Sequence, residues 1–242
     1  VRKALVAGIE LAVLLLTACV PIRSSPLRTV TGSGKTITQE MNLAGFSTVE
    51  VGNAFSAEIA YADVYSVLVT VDDNVVEYLN VFKKWNTLHI GLKPNVSVTS
   101  GTLKARITLP SLEALKLSGA AHATLNGLRL SRDLAIQVLG ASVLGGDMEA
   151  GNVWLEIAGA STATLKGAAR SLVLEVSGAS HANLGDFQLL NVTAMLSEAS
   201  SATVNLSGRL DANMSGASHL TYLGQPTLGR ISKSGGSTVT AQ

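Results

Sequence analysis

Apolar and polar residues alternate along most of this chain, and from residue 111 onward the alternation recurs about every 20 residues. Period-two alternation marks strands with one buried face. Before residue 111 it is seen in Val49-Glu50-Val51, Ala57-Glu58-Ile59, Val67-Leu68-Val69-Thr70-Val71, Leu88-His89-Ile90 and Arg106-Ile107-Thr108-Leu109. Gly45, Gly52, Gly91, Pro94, Gly101 and Pro110 separate these runs. One stretch departs from the pattern. Val75, Val76, Leu79 and Phe82 recur at helical spacing, with Asp72 or Asp73 placed to cap the start, which predicts a short helix near 73–84.

The second half carries a seven-copy ladder of small residues. Its copies run from Ser118-Gly119-Ala120-Ala121-His122 through Leu139-Gly140-Ala141-Ser142-Val143, Ala158-Gly159-Ala160-Ser161-Thr162 and Ser177-Gly178-Ala179-Ser180-His181. Ser197-Glu198-Ala199-Ser200-Ser201, Ser215-Gly216-Ala217-Ser218-His219 and Ser234-Gly235-Gly236-Ser237-Thr238 complete it. Aligning the second residue of each copy gives steps of 21, 19, 19, 20, 18 and 19 residues. Such a period is the mark of a solenoid, in which each repeat buries its apolar face only by stacking on a neighbour.

The aligned columns sort into faces. Leu115/Leu117, Ile136/Val138, Leu155/Ile157, Leu174/Val176 and Ala194/Leu196 form one apolar face before the ladder motif. Ala123/Leu125, Ala163/Leu165, Ala182/Leu184 and Ala202/Val204 form another after it. Each coil is thus two short strands hinged by a Gly-Ala-Ser corner, followed by a second turn. Corners stacked about 4.8 Å apart leave no room for bulk. Glu198 is the misfit in the glycine column and is expected to mark a bulged rung.

The predicted fold is all-β: a single-stranded parallel β-helix of about 19–20 residues per coil, with irregular coils over 35–110 and regular coils over 111–242. A bundle or doubly wound fold lacks its 3.6-residue period here. A propeller needs about 40–50 residues per blade.

The ends and the composition add a location. Arg2 and Lys3 precede an apolar run from Ala4 to Leu16, and Leu16-Thr17-Ala18-Cys19 closes it with small residues before the only cysteine. The tetrapeptide resembles a bacterial lipobox, which implies cleavage after residue 18 and acylation of Cys19. Membrane lipid is then a partner through that anchor. Residues 19–34 read as a flexible tether. Val20 lacks the Asp that resembles an inner-membrane retention signal, which favours the outer membrane of the envelope.

Within the tether, Gly32-Ser33-Gly34-Lys35-Thr36 looks like the end of a phosphate-binding loop, but the required earlier glycine position holds Thr29. Loss of Arg2, Lys3 and Glu10 with the leader takes Lys+Arg from 18 to 16 and Asp+Glu from 17 to 16. A neutral chain without a basic face is not expected to bind nucleic acid.

Several stretches resemble a known family: Gly45-Phe46-Ser47-Thr48-Val49-Glu50-Val51, Leu88-His89-Ile90-Gly91-Leu92-Lys93-Pro94, Leu103-Lys104-Ala105-Arg106-Ile107-Thr108-Leu109-Pro110, and the Leu-Ser-Gly-Ala rungs that follow. Over about residues 32–240 the chain resembles the auto-transporter adhesin head domain (the GIN domain), found in bacterial lipoproteins. The resemblance implies a right-handed parallel β-helix, akin in fold to surface adhesins and pectate-lyase-like proteins. It brings no catalytic residues.

Candidate chemistry is confined to outward columns. His122, His181 and His219 share one column, but at about 4.8 Å per rung they lie roughly 14 Å and 10 Å apart. Zinc holds nitrogen ligands at about 2.0–2.1 Å, so no shared metal site is expected, and no cofactor motif is present. With Thr124, Thr162, Thr164, Asn183, Thr203 and Thr221 these histidines form the candidate recognition surface for a glycan or an envelope protein. Threonine is also simply a good strand former.

Glu156 and Glu175 fall in one column on adjacent rungs, about 5 Å apart, a spacing that suits a retaining glycosidase. Their column neighbours Gln137 and Met195 supply neither an acid–base group nor an aromatic platform. Three functional readings follow. The first is a non-catalytic lipoprotein that displays the β-helix for binding or adhesion. The second is a carbohydrate-active enzyme, and the third a self-associating envelope protein whose open ends or flat faces pair as a homo-oligomer.

Overall fold

The computed structural model describes residues 27–242. The leader, Cys19 and the first half of the tether lie outside the described residues. From Arg28 onward the chain forms a β-solenoid of about six turns, with 20 strands and one 3₁₀ helix. Its two principal walls meet at the Gly-Ala-Ser corner.

In the regular half the columns read from sequence are the columns observed. Leu115, Ile136, Leu155, Leu174, Ala194 and Ala212 lie in register along wall A and point into the core. Across the corner, Ala123, Leu144, Ala163, Ala182, Ala202 and Leu220 do the same along wall B. Every pairing among these coils is parallel. Each fully buried aliphatic contributes roughly 1.5–3 kcal/mol.

The corner has a chemistry that smallness alone does not explain. Ser142, Ser161, Ser180, Ser200 and Ser218 are buried. Ser142 Oγ donates to the Leu139 carbonyl at 2.7 Å, Ser161 Oγ to that of Ala158 at 2.9 Å, and Ser200 Oγ to that of Ser197 at 2.7 Å. Ser161 Oγ also accepts the Ser142 N–H at 3.1 Å, and Ser180 Oγ the Ser161 N–H at 3.3 Å. The hydroxyls thus satisfy backbone groups that the bend takes out of the ladder.

Gly178 shows why the preceding position is usually glycine. Its φ is +75°, and a Cβ there would stand 2.4 Å from the Gly159 carbonyl oxygen. Glu198 is not bulged. It adopts the same left-handed turn (φ 62°), and its carbonyl accepts the Ala217 N–H at 2.7 Å as glycines do in other corners. The irregularity of that coil lies elsewhere: its register with the coil before slips between Leu184 and Gln188.

Residues 28–110 are built differently. Thr48–Val51 and Ser56–Tyr61 form a coil that stacks directly under the first regular one. The next coil in the chain, Thr87–Leu92 and Leu103–Leu109, lies on the other side of it. Chain order and stacking order therefore disagree. Beyond that coil the walls continue with antiparallel strands: Leu79–Lys84 on wall A, then Ser66–Asp72 and Thr36–Glu40 on wall B.

The expected helix near 73–84 is a six-residue 3₁₀ helix, Asp73–Tyr78, and ends there. Leu79–Lys84 is a strand because it pairs with Thr87–Leu92 through a tight turn, and tertiary pairing overrides a local spacing. Asp72 occupies the cap position without a capping side-chain bond. Its buried carboxylate instead turns inward, where Oδ2 accepts the Thr102 N–H at 3.3 Å and Oδ1 has no partner. A Cβ on Gly32 would fall 1.9 Å from Oδ2 and 2.5 Å from the Gly101 Cα. The phosphate-loop look-alike is therefore part of a clasp that joins the chain's first bend to the 3₁₀ helix and the 100–102 bend. Asn74 completes it, accepting from the Ser33 N–H and donating to the Thr31 carbonyl.

Candidate functional site

Wall B is the more continuous of the two outward faces. One row runs Thr38, Thr70, Lys104, Ser56, His122, Val143, Thr162, His181, Ser201, His219, Thr238. The parallel row runs Glu40, Leu68, Arg106, Glu58, Thr124, Gly145, Thr164, Asn183, Thr203, Thr221, Thr240. Eleven strands at about 4.8 Å make a face roughly 48 Å long. All nine candidate surface residues fall in these two rows. His122, Thr124, His181, Asn183 and His219 are exposed, and Thr162, Thr164, Thr203 and Thr221 are half-buried between neighbours.

The histidines are kept apart by the register. Val143 and Thr162 separate His122 from His181, and Ser201 separates His181 from His219. Among the described residues no group of three His, Cys, Asp or Glu side chains stands where one metal ion would fit. His219 instead joins a hydroxyl chain, bonding Thr238 through Nδ1 and Thr221 through Nε2.

The antiparallel strands extend both rows in a way the repeat could not reveal, and they bring charge. Arg106 pairs with Glu58 at 3.0 Å, while Lys104 stands between the Thr70 and Ser56 hydroxyls. Thr38, Thr70, Ser56, Leu68, Lys104, Arg106 and Glu58 line an open groove of about 420 Å³. Long side chains raised over short ones create it.

Wall A carries the carboxylate pair. Glu156 and Glu175 are register partners, as their spacing predicted. Gln137 Nε2 donates to Glu156 at 2.7 Å. Trp154 Nε1 donates to Glu175 at 3.2 Å, so an aromatic does stand beside the pair, contrary to the expectation from column neighbours alone. It was hidden because it belongs to the adjacent outward row, two positions before Glu156. The pair opens onto a shallow depression of about 290 Å³ shared with Met195 and Asn213. Both carboxylates hold neutral donors, and among the described residues no Lys or Arg ion-pairs with either.

Further along, Asp211 accepts two bonds from Arg209, at 2.7 and 2.9 Å, and one from the Arg230 N–H at 2.7 Å. The guanidinium and that amide hold its carboxyl below the usual carboxylate range. This cluster ties the last coil down rather than forming a site.

Comparison with solved structures supports the architecture. A putative adhesin from Bacteroides fragilis superposes with a TM-score of 0.83 at 22% identity, over 88% of this chain and 100% of that one. A putative lipid binding protein from Parabacteroides distasonis gives 0.70 at 18% identity, over 89% and 100%. A putative adhesin from Parabacteroides merdae gives 0.69 at 18% identity, over 89% and 99%. At such identities the likeness is one of fold. No curated protein matches the chain. The model of one family matches residues 45–226, three quarters of the chain and both of its differently built regions. The chain therefore belongs to the family described as putative auto-transporter adhesin, head GIN domain.

Proposed function

We propose that this chain is an adhesin-type binding module of the bacterial envelope, held at the membrane by acylated Cys19. Its wall B meets a glycan or an envelope protein without chemical turnover. The observation that carries the reading is the face itself, eleven strands long, with hydroxyl, amide and imidazole groups at a fixed spacing. Such an array matches a repetitive partner at many weak points, and weak contacts at fixed spacing add up through effective concentration. The family and the adhesins it resembles in fold support the same class.

The test is saturable binding to envelope polysaccharide and to envelope protein fractions. Thr164→Lys and Asn183→Lys, which place bulk in the middle of wall B, are expected to abolish it. Binding that survives both changes overturns the reading. Mass analysis of the peptide that begins at Cys19 tests the anchor separately.

One observation favours the enzymatic alternative: Trp154 beside the Glu156–Glu175 pair. Polysaccharide cleavage that Glu156→Gln eliminates would establish it. Equal background rates in both proteins would end it.

A further inference from the structure

Three loops on one side of the solenoid carry Trp85 and Val64, the two most exposed large apolar side chains among the described residues. Wall A strands run from the second bend toward the Gly corner, so Leu79–Lys84, which is antiparallel, ends at the second bend, and Trp85 and Asn86 turn the chain there. By the same logic the turn after Tyr61 and the loop after Glu40 lie on that side too. Contacts join the three. Phe46 packs on Tyr65 with ring centroids 4.9 Å apart, and the Asn86 carbonyl accepts the Ser47 N–H at 2.9 Å.

Trp85 is 85% exposed, Val64 70% and Tyr61 50%. Met41, Leu43 and Tyr65 are half-buried beneath them. Trp85 also sits at φ 56°, in a turn position where Asn or Gly is comfortable and a bulky side chain is strained. The fold therefore gains neither burial nor turn geometry from this residue. Lys83 and Lys84 precede it, and neither forms an ion pair among the described residues. The nearby acids are Glu40 at the end of its strand, Asp63, which accepts the Tyr61 hydroxyl at 2.6 Å, and Glu113, which accepts the Ser47 hydroxyl at 2.8 Å and pairs with Arg132.

We propose that this loop cluster is a membrane-interface docking surface, with Trp85 inserted among lipid headgroups and Lys83 and Lys84 on lipid phosphates. A saccharide platform is less well matched: Trp85 stands at a turn tip, outside the neighbouring groove lined by Met41, Leu43 and Tyr65. A ring at a tip enters a soft phase, and amphipathic aromatics flanked by lysine settle at the headgroup level. Arg28–Thr31, where the described chain begins, pairs with Val96–Thr99 on the opposite, Gly-corner side of the same coils. Insertion of Trp85 does not rest on the Cys19 anchor proposed above.

The full chain carrying Trp154→Phe leaves Trp85 as the only tryptophan, and it is bound to vesicles of phosphatidylcholine and phosphatidylglycerol. Trp85 emission is expected to shift to the blue and to lose most of its intensity with brominated acyl chains. Lys83→Gln and Lys84→Gln should each lower the ratio of inserted to free Trp85 about fivefold. A vesicle-bound protein whose Trp85 emission stays at its water-exposed value overturns the proposal. So does emission that shifts with soluble glycan fragments and not with vesicles, which would assign the tip to sugar stacking. The Cys19 mass measurement fails or succeeds independently of either result.

Discussion

The coils after residue 114 and the segment before it solve the same problem in opposite ways. The regular coils repeat one solution: an in-register aliphatic core, a left-handed corner and a buried serine hydroxyl that mends the ladder at the bend. In the earlier segment the corner at Asn53 and Ala54 is followed by buried Phe55 where later coils have serine. Coil order is nested, and three antiparallel strands extend the walls. The difference teaches that interior coils can be copies of each other while the N-terminal end is rebuilt; the last described coil, at 227–241, remains a parallel copy. A coil with a neighbour on one side only has an apolar face and strand edges left over. Antiparallel strands, aromatic plugs and the Asp72 clasp answer that need at the N-terminal end.

Two glycine substitutions should break the comparison most sharply. Gly178→Ala forces a Cβ against the Gly159 backbone in the middle of the stack, and Gly32→Ala forces one into the Asp72 clasp. Each is expected to cost about 3 kcal/mol, from overpacking at both positions and from left-handed backbone strain at Gly178 alone. Denaturant unfolding would measure both. Hydrogen exchange would separate them: Gly178→Ala should loosen coils on both sides, and Gly32→Ala only strands near residues 28–40 and 96–109. A uniform loosening in both proteins would show that the two regions unfold as one unit.

A smaller effect tests the corner chemistry. Ser161→Ala keeps the corner small but leaves the Ala158 carbonyl and the Ser142 N–H without partners. A loss of about 1–3 kcal/mol is expected in equilibrium unfolding. A neutral result would return the column to size alone.

Glu198→Gly should move in the other direction. The residue already holds the glycine conformation, so removing its side chain relieves a left-handed strain of roughly 1 kcal/mol. Chemical denaturation is expected to show a higher midpoint, and a lower one would mean that the Glu198 side chain makes a stabilising contact of its own.

The smallest effect concerns the last coil. Because the folded state holds the Asp211 carboxyl below its ordinary value, its contribution is full above the usual carboxylate pKa. It is lost as pH falls through the depressed value. Asp211→Asn should therefore lower stability at neutral pH and flatten the acid limb of the stability curve. Exchange at residues 227–233 as a function of pH would read it locally.

Much of the arrangement of the candidate surface is legible in the sequence alone. The wall B columns from His122 to Thr221 follow from alternation plus period, since each coil pairs with a near copy of itself. The rows' extension through Ser56, Lys104, Thr70 and Thr38 is not, because alternation identifies a strand without naming its partner or direction. Trp154 was missed beside Glu175 because its row is read off neighbouring strands rather than along one column. The Leu79–Lys84 strand was misread as helix because four apolar residues happen to fall at helical spacing, and only its pairing with Thr87–Leu92 decides between the two.

Repetition is what made the sequence sufficient where it was. Coil length, inward and outward positions and the places of the corners are all local properties copied along the chain, so the sequence by itself determined the solenoid, its core and the polar rows of its regular half. The nested order of the early coils, the closing antiparallel strands, the inward turn of Asp72 and the gathering of Trp85, Val64 and Tyr61 on one side were decided only in the tertiary structure. Each depends on which distant segment arrives at an unpaired edge, and no local pattern carries that information.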